Sequence, residues 1–342
     1  MPDSNSMLYF VLLYGLFSFL VVLMITPWLI RYLRKIGLIV KDQNKEGKPL
    51  VPISGGLAVL FGIMAGLMVF LFFRTFISGS TKIGLVLNNY NLVILLSSIV
   101  AILTITLIGF LDDLVIDKSK DYSKGLRQWQ KPLLSLIAAV PLMVTQIGTT
   151  QIGLPFIGVV DFGILYALLL VPIGFSGAAN MVNMLGGFNG MEAGMGIVYT
   201  GMLGLYAYVN GSYVAALIAL LTFCSLIAFF FYNKCPAKIL PGDSLTYLLG
   251  GVMAVIAIVG NIERAALICS IPFFIEFILK ARSKFKAQSY GQYKNGKITS
   301  LHEDKIYSLT HLFTRTGKFT ENQITYSFIA FELLVSSLIW VL

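Results

Sequence analysis

Long apolar segments, separated by short polar stretches, dominate the pattern of this chain. We predict ten spans, which run approximately over 8–30, 54–73, 91–110, 132–148, 161–177, 193–209, 212–231, 245–260, 264–280 and 325–342. A helix needs about 20 apolar residues to cross a bilayer, and most of these segments approach that length. Because backbone polar groups inside a bilayer must be hydrogen-bonded within their own segment, each span is expected to be helical. The pattern therefore predicts an all-α polytopic membrane protein with about ten transmembrane helices.

Composition agrees with a membrane protein and excludes a nucleic-acid-binding one. Of the 342 residues, 57% are hydrophobic and 12% are charged, whereas soluble domains carry about 25% charged residues. The net charge of +9 is confined to loops between spans. Loops 31–53, 111–131, 232–244 and 280–324 hold 22 of the 25 Lys and Arg residues, all on one side of the predicted membrane. The positive-inside rule places these loops in the cytoplasm and both termini on the other side.

The chain is predicted to form one integral membrane domain over 1–342, with a cytoplasmic insertion at 281–324 between the ninth and tenth spans. Ionisable and amide side chains gather at the cytoplasmic ends of the spans. Asp112 and Asp113 end the third span, and Asp243 enters the eighth. A Gly-rich stretch, NMVNMLGGFNGMEAG, follows the fifth span. Polar groups at membrane level are costly and usually mark a functional site.

These residue types have a chemical interpretation. Carboxylate and amide oxygens suit Mg²⁺, which joins one or two protein oxygens to substrate phosphates. Basic residues of 280–297 are suited to neutralising a pyrophosphate. Each group also has a structural alternative, since an Asp can cap a helix, Asn residues can join helices, and juxtamembrane lysines bind anionic lipids. The residues alone predict metal-dependent phosphoryl transfer at a membrane surface, with the substrate left open.

The motifs, in their order along the chain, resemble those of the polyprenyl-phosphate N-acetylhexosamine-1-phosphate transferases. Within that superfamily the chain looks most like the eukaryotic and archaeal UDP-GlcNAc:dolichyl-phosphate GlcNAc-1-phosphate transferases. The matching segments are DQNK at 42–45, PISGG at 52–56, GFLDD at 109–113, the Gly-rich stretch at 180–194 and PGDS at 241–244. The bacterial peptidoglycan branch usually carries aspartates where this chain has Gly186 and Asn189, which argues against UDP-MurNAc-pentapeptide as the donor.

The resemblance implies a reaction and a role for each motif. GlcNAc-1-phosphate, or a related HexNAc-1-phosphate, would pass from a UDP-sugar to a polyprenyl or dolichyl phosphate, with release of UMP. Asp112, Asp113 and Lys131 would be catalytic, with Lys131 on the lipid phosphate. Asn183 and Asp243 would bind Mg²⁺, for which Mn²⁺ is an alternative. The residues implied in substrate binding are Asn180, Gly187, Asn189, Gly190, Glu192, Arg282, Lys284 and Lys286.

Two departures from the family pattern leave alternatives open. The spacing between the aspartate pair and Lys131 is longer than in the eukaryotic branch, so Lys124 and Arg127 are alternatives to it. The Arg-His-Arg motif of the eukaryotic branch has no clean counterpart here. His302 and His311 are therefore alternative ligands for the pyrophosphate.

A transporter with an ion site at Asp112, Asn183 and Asp243 is the alternative from another class. Transporters usually place such groups near the bilayer midplane, whereas these residues lie at one predicted surface, which disfavours that alternative. The expected partners are the UDP-N-acetylhexosamine, the polyprenyl or dolichyl phosphate and membrane lipids, and a homodimer is one option for the assembly. The membrane is expected to be the cell membrane of a prokaryote, with an archaeon favoured, or the endoplasmic reticulum of a eukaryote.

Overall fold

The computed structural model describes residues 4–77, 88–115, 125–154 and 158–342. Seven of its described helices are long and apolar enough to cross a membrane. They are Leu12–Lys35, Gly56–Ile77, Asn89–Leu114, Tyr166–Met184, Tyr213–Asn233, Gly242–Gly260 and Glu321–Trp340. The prediction of a mostly helical, multi-pass membrane protein is confirmed, while the count of ten spans stays a prediction.

Thirteen α-helices lie in the described part of the chain. They are α1 Ser4–Lys35, α2 Gly56–Phe72, α3 Asn89–Leu114, α4 Gln130–Ala138, α5 Val140–Val144, α6 Val171–Met184, α7 Met191–Val209, α8 Tyr213–Asn233, α9 Gly242–Gly260, α10 Glu263–Cys269, α11 Ile271–Arg282, α12 His311–Thr314 and α13 Glu321–Ser337. Phe73–Ile77 extends α2 and Tyr166–Leu170 precedes α6, both as π-helix, and Leu338–Trp340 extends α13 as a 3₁₀ turn.

Three antiparallel hairpins lie in the loops of the described part. They pair β1 Ile39–Lys41 with β2 Leu50–Pro52, β3 Gln151–Leu154 with β4 Gly158–Asp161, and β5 Gln292–Lys294 with β6 Lys297–Thr299. The first and third hairpins belong to loops that the sequence places in the cytoplasm.

Three predicted spans correspond to helices outside the set of seven. The fourth is the short apolar pair α4 and α5, which covers Gln130–Val144. The sixth is α7, where several glycines and Glu192 lower the mean hydropathy. The ninth is divided into α10 and α11, with Pro272 in the first turn of α11. Proline lacks an N–H and is best accommodated in a first helical turn, so α11 begins there as a new helix.

The loops predicted to share a side of the membrane meet at the same end of the bundle. The Leu240 N–H donates to the Pro52 carbonyl at 2.8 Å, and the Gln128 amide donates to the Phe285 carbonyl at 2.7 Å. At the other end, the Thr149 N–H donates to the side chain of Asn261 at 2.7 Å. The bundle thus has two distinct loop faces, as the topology requires.

Helix α9 lies at the centre and packs against α2, α3, α6, α8 and α10. Two glycines allow its neighbours to approach its first turn. A Cβ on Gly109 of α3 would lie 2.3 Å from the Asp243 carbonyl oxygen, and one on Gly56 of α2 would lie 2.3 Å from the Ser244 carbonyl carbon. Small residues let helix backbones pack closely in membranes. Helices α2 and α3 therefore fix the turn that carries Asp243.

Candidate active site

A lysine joins two acidic side chains where α3, α4 and α9 meet. Lys131 Nζ lies 2.5 Å from Asp112 Oδ2 and 2.7 Å from Asp243 Oδ2. The Asp112 side chain is 1% exposed, whereas that of Asp243 is 29% exposed. Two carboxylates around a single ammonium leave an excess of negative charge, and the more accessible one, Asp243, can accept a further cation.

Asp113 is directed to the backbone of α9 and not to this cluster. Its Oδ1 accepts the Asp243 N–H at 2.7 Å, and its Oδ2 accepts the Ser244 N–H at 3.2 Å and the Ser54 hydroxyl at 2.8 Å. A carboxylate at this position satisfies the free N–H groups of a helix N-terminus and complements the helix dipole. Gly242 has φ +70°, and a Cβ there would lie 2.4 Å from the same carboxylate. Asp113 therefore positions Asp243.

The two predicted amides of α6 have different surroundings. Asn183 lies at the acidic cluster, where its Nδ2 donates to Asp243 Oδ2 at 3.3 Å and its Oδ1 accepts the Thr246 hydroxyl at 2.7 Å. Asn180 lies one turn earlier and donates to Ser135 of α4 at 3.0 Å. Asn183 is thus placed beside the predicted metal ligand, while Asn180 joins two helices.

Two glycines with left-handed backbone shape the Gly-rich loop, residues 185–190. Gly187 has φ +101° and Gly190 has φ +83°, a conformation that favours glycine. The Gly187 N–H donates to Glu192 Oε1 at 2.8 Å, while Glu192 Oε2 is buried without a hydrogen-bond partner among the described residues. Gly187, Asn189 and Glu192 line the main cavity, and Gly190 turns the chain into α7 without lining it.

The main cavity has a volume of about 1460 Å³ and joins this polar cluster to an apolar groove. Lys131, Asn183 and Asp243 line its polar end. Tyr166 and Glu263 line the far end of the groove, where the tyrosine hydroxyl donates to Glu263 Oε1 at 2.6 Å. The groove runs beside α9 between α6, α10 and α11, and its apolar walls include Ile173, Gly174, Met253, Ala254, Ala257, Leu267 and Phe274.

The basic residues predicted to bind the pyrophosphate are not among the residues that line this cavity. Arg282, Lys284 and Lys286 are exposed, and none of them is among its lining residues. Lys280 lines it instead, 3.7 Å from Glu276 Oε1 and paired with it along α11. Phe285 and Ala287, which lie next to these basic residues, do line the cavity, and the predicted role of the three stays a prediction.

The alternative candidates in the described part of the chain do not line the cavity. Arg127 is exposed and does not line it, and Lys124 lies outside the described residues. His311 is buried, and its Nδ1 accepts a backbone N–H at 3.1 Å while its Nε2 contacts a backbone carbonyl at 2.9 Å. His302 packs against it, with ring centroids 5.0 Å apart. The two histidines stabilise the 281–324 insertion from within.

Several residues that hold the site are not identified by the sequence patterns. Ser54 supports Asp113, and Asn44 donates to the Gly187 carbonyl at 2.5 Å. Both lie inside the DQNK and PISGG segments, so the motif itself was the available signal. Glu321 accepts the Asn189 N–H at 2.9 Å, and no local pattern distinguishes it from other acidic residues at a helix start.

The donor set at the cluster fits Mg²⁺ bound together with a phosphate. No group of three or more His, Cys, Asp or Glu side chains in the described part of the chain could hold a metal by itself. Asp243 supplies a carboxylate, and Asn183, whose Nδ2 lies 3.3 Å from Asp243 Oδ2, supplies an amide oxygen that also accepts the Thr246 hydroxyl. Mg²⁺ usually takes one or two carboxylates and completes its shell with water and substrate phosphates. Such a site is completed by the substrate.

Comparison with known proteins gives a consistent result. The profile described as glycosyl transferase family 4 matches residues 95–261. A protein of Saccharolobus solfataricus named UDP-N-acetylglucosamine–dolichyl-phosphate N-acetylglucosaminephosphotransferase is 36% identical over 320 residues, or 92% of this chain and 91% of the relative. A protein of the same name from Sulfolobus acidocaldarius is 34% identical over 331 residues, or 96% and 94%. A phospho-N-acetylmuramoyl-pentapeptide-transferase of Lactiplantibacillus plantarum is 32% identical over 267 residues, or 76% and 78%.

Proposed function

This chain belongs to glycosyl transferase family 4, and we propose that it transfers GlcNAc-1-phosphate from UDP-GlcNAc to dolichyl or another polyprenyl phosphate, releasing UMP. Its resemblance to the GlcNAc-1-phosphate transferases is confirmed by two archaeal relatives with that name. Each alignment covers more than nine-tenths of this chain and of the relative. The observation that carries the proposal is the Lys131 cluster at the head of an apolar groove. A site of this form suits a substrate with a phosphate head and a long hydrocarbon tail.

The groove along α9 matches the polyprenyl chain. The α9 residues that line it extend from Gly242 to Ile258, a length of about 24 Å at about 1.5 Å per residue. That length approaches the hydrocarbon thickness of about 30 Å. A lipid whose phosphate lies at Lys131 would therefore keep its tail beside the protein across most of the membrane.

The head of the groove would bind and orient the lipid phosphate. The Lys131 ammonium forms charge-assisted hydrogen bonds with phosphate oxygens. Asp112, 2.5 Å from that ammonium, would orient it or accept the phosphate proton. The lipid phosphate needs little help to lose its proton near neutral pH, because the second pKa of a phosphate monoester is about 6. Positioning is therefore the main contribution of Asp112, and Asp113 contributes by holding the first turn of α9.

The UDP-sugar would lie between the Gly-rich loop and Asp243. Gly187 and its neighbours present backbone groups to the cavity, and Glu192 adds a carboxylate oxygen that has no hydrogen-bond partner in the described part of the chain. Asp243 and Asn183 would hold Mg²⁺ against the pyrophosphate. When bound, the metal neutralises charge on the phosphate oxygens as a Lewis acid. The same end of the bundle carries the basic loops, so we place the site on the cytoplasmic face.

The proposed step is a direct phosphoryl transfer. An oxygen of the lipid phosphate forms a bond to the β-phosphorus of UDP-GlcNAc, and the bond from that phosphorus to the bridging oxygen breaks. The bridging oxygen leaves with UMP, and the bond between GlcNAc and its phosphate stays intact. Catalysis of such transfers comes mainly from positioning and from stabilising charge on the transferring group.

A transfer assay with purified protein in detergent tests the proposal. The protein is supplied with sugar-labelled UDP-GlcNAc, dolichyl phosphate and Mg²⁺, and label in organic-extractable lipid is measured. We expect labelled lipid that disappears with EDTA and in Asp243→Ala. A parallel reaction with UDP-MurNAc-pentapeptide tests the function named for the bacterial relative. Label transfer from that donor and not from UDP-GlcNAc would contradict the proposal.

A further inference from the structure

The Gly-rich loop is held by polar side chains from distant parts of the chain. Asn44, in the loop between β1 and β2, bridges two backbones: its Nδ2 donates to the Gly187 carbonyl at 2.5 Å, and its Oδ1 accepts the Gly291 N–H at 3.1 Å. Asn44 is buried. One side chain thus ties the first cytoplasmic loop, the Gly-rich loop and the 281–324 insertion together.

Asn189, at the other end of the loop, is held on both its backbone and its side chain. Its N–H donates to Glu321 Oε1 at 2.9 Å, and its Nδ2 donates to Asp42 Oδ2 at 2.9 Å. Its carbonyl accepts the Thr325 hydroxyl at 3.2 Å. Asn189 is 3% exposed, and Asp42 and Glu321 are each 5% exposed. Buried hydrogen bonds to carboxylates are among the stronger ones in proteins.

Lys45 neutralises part of the charge of these two carboxylates. It forms an ion pair with Glu321 and lies 3.5 Å from Asp42 Oδ2. Burial alone would lower the pKa of the Lys45 ammonium, but the Glu321 and Asp42 carboxylates outweigh that effect and raise the pKa above its ordinary value. The buried acidic pair is therefore held together by a lysine that stays charged.

The loop has little internal structure to hold its shape. It lies between α6 and α7, outside both helices, and its glycines at 187 and 190 adopt left-handed backbone conformations that few other residues prefer. Glu321, by contrast, stands in the first turn of α13, whose N-terminus is fixed by a capping box between Thr320 and Gln323. Glu321 is thus fixed by a helix N-terminus, whereas the Gly-rich loop depends on contacts from outside itself.

We propose that Asp42, Asn44, Lys45 and Glu321, the loop clamp, position the Gly-rich loop and thereby set the affinity for the nucleotide part of the UDP-sugar. The inference rests on the proposed function and extends it to residues that need not touch substrate. The described contacts of the clamp do not include Lys131, Asp112 or Asp243. Weakening the clamp should therefore change the affinity for the UDP-sugar and leave that for the lipid phosphate unchanged.

Steady-state kinetics of Asn44→Ala and Glu321→Ala test this separation. The KM for UDP-GlcNAc should rise about tenfold, the effect of losing one buried hydrogen bond of this kind. The KM for dolichyl phosphate and kcat should stay within about twofold. Glu321→Gln keeps an acceptor for the Asn189 N–H and should recover part of the loss. Glu46→Ala changes an exposed acidic residue of the same loop and is the matched control.

Nucleotide binding without lipid gives a readout that does not depend on turnover. Calorimetric titration with UMP should show a Kd raised by a similar factor in Asn44→Ala and unchanged in Glu46→Ala. Where Glu321→Ala fails to fold, alkylation of Cys235 in the otherwise unaltered protein replaces it. Cys235 Sγ lies 3.6 Å from Glu321 Oε2, so an added group should weaken UMP binding. Cys235→Ser should abolish that sensitivity.

The outcomes separate the clamp from the proposed function. A rise in the UMP Kd and in the UDP-GlcNAc KM alone supports the clamp. An unchanged UMP Kd in folded Asn44→Ala, or an equal rise in the KM of both substrates, overturns it. Absence of lipid-linked product with the unaltered protein would count against the proposed function, whatever the variants show in UMP binding.

Discussion

At the scale of single residues, two adjacent aspartates perform different tasks. Asp112 and Asp113 end the same helix, but one faces Lys131 and the other faces the N-terminus of α9. Side chains next to each other on a helix point about 100° apart, which separates their partners. The pair therefore offers a matched comparison between a residue that contacts Lys131 and one that holds the first turn of α9.

Asp112→Asn should lower turnover at least about a hundredfold while the protein stays folded, because the amide loses the negative charge beside Lys131.

Asp113→Asn should lower the free energy of unfolding by about 1–3 kcal/mol, because the amide presents an N–H to backbone N–H donors. Label transfer and thermal unfolding of both variants measure these effects. Undiminished turnover of Asp112→Asn would remove that residue from the mechanism.

At the scale of elements, hydrophobic pattern predicted where helices occur but not how they are interrupted. The predicted ninth span is two helices, because Pro272 cannot donate the hydrogen bond that would continue α10. Asp112, Asn183 and Asp243 were predicted together since each ends or starts a span on one face. Their pairing through Lys131 depends on the packing of α3, α4 and α9, which no local pattern encodes.

For the basic residues of the 281–324 insertion, the sequence shows the charge but not the direction of the side chains. Arg282, Lys284 and Lys286 carry the charge expected for pyrophosphate binding, yet they lie on the exposed surface. Charge is visible in a sequence, but the direction of a side chain depends on helical phase and loop conformation. Lys284 has φ +53°, which turns the chain immediately after α11. The role predicted for these three residues stays a prediction.

The 281–324 insertion should lose stability in mild acid. Burial lowers the pKa of His311 below its ordinary value of 6.5, and protonation of its Nδ1 would break the bond from a backbone N–H. Because the open segment binds the proton more tightly, stability is full above about pH 6.5 and falls as the pH drops further. Hydrogen exchange of 286–314, corrected for intrinsic rates, should be faster at pH 5.5 than at pH 7.5.

His311→Gln provides the control for that prediction. The variant should exchange faster than the unaltered protein at pH 7.5, since one ring nitrogen contact is lost, but with a smaller dependence on pH. Electrostatic interactions with Lys280 and His302 also lower the pKa of His311. Equal exchange rates at both pH values in the unaltered protein would show that protonation of the histidines does not change the stability of this segment.

At the scale of the whole molecule, one cavity joins a polar head to a groove along the central helix. The cavity draws on α4, α6, α9, α10 and α11, on the segment that carries β1 and β2, and on the 281–324 insertion. A transferase with one soluble and one membrane substrate requires a site open to both phases. The architecture therefore explains why α9 is central: its first turn carries Asp243, and its flank lines the groove.

Substitutions at Gly174 test the groove without disturbing the head. A Cβ at this position would meet no heavy atom within 4 Å, so a large side chain can be accommodated in the space that the lipid would use. Gly174→Phe should raise the KM for dolichyl phosphate about tenfold or more and leave the KM for UDP-GlcNAc unchanged. Gly174→Ala is the matched control and should behave like the unaltered protein. An unchanged lipid KM in Gly174→Phe would place the tail elsewhere.

The central claim, transfer of a sugar phosphate to a lipid phosphate, is tested most directly by following two labels. UDP-GlcNAc is labelled with ³²P at the β-phosphate and with ³H in the sugar, and both labels are counted in the organic-extractable product. Equal molar amounts of ³²P and ³H in the lipid, with unlabelled UMP released, are the predicted result. Lipid that contains ³H without ³²P, with labelled UDP left in solution, would contradict the account, because the sugar alone would have been transferred.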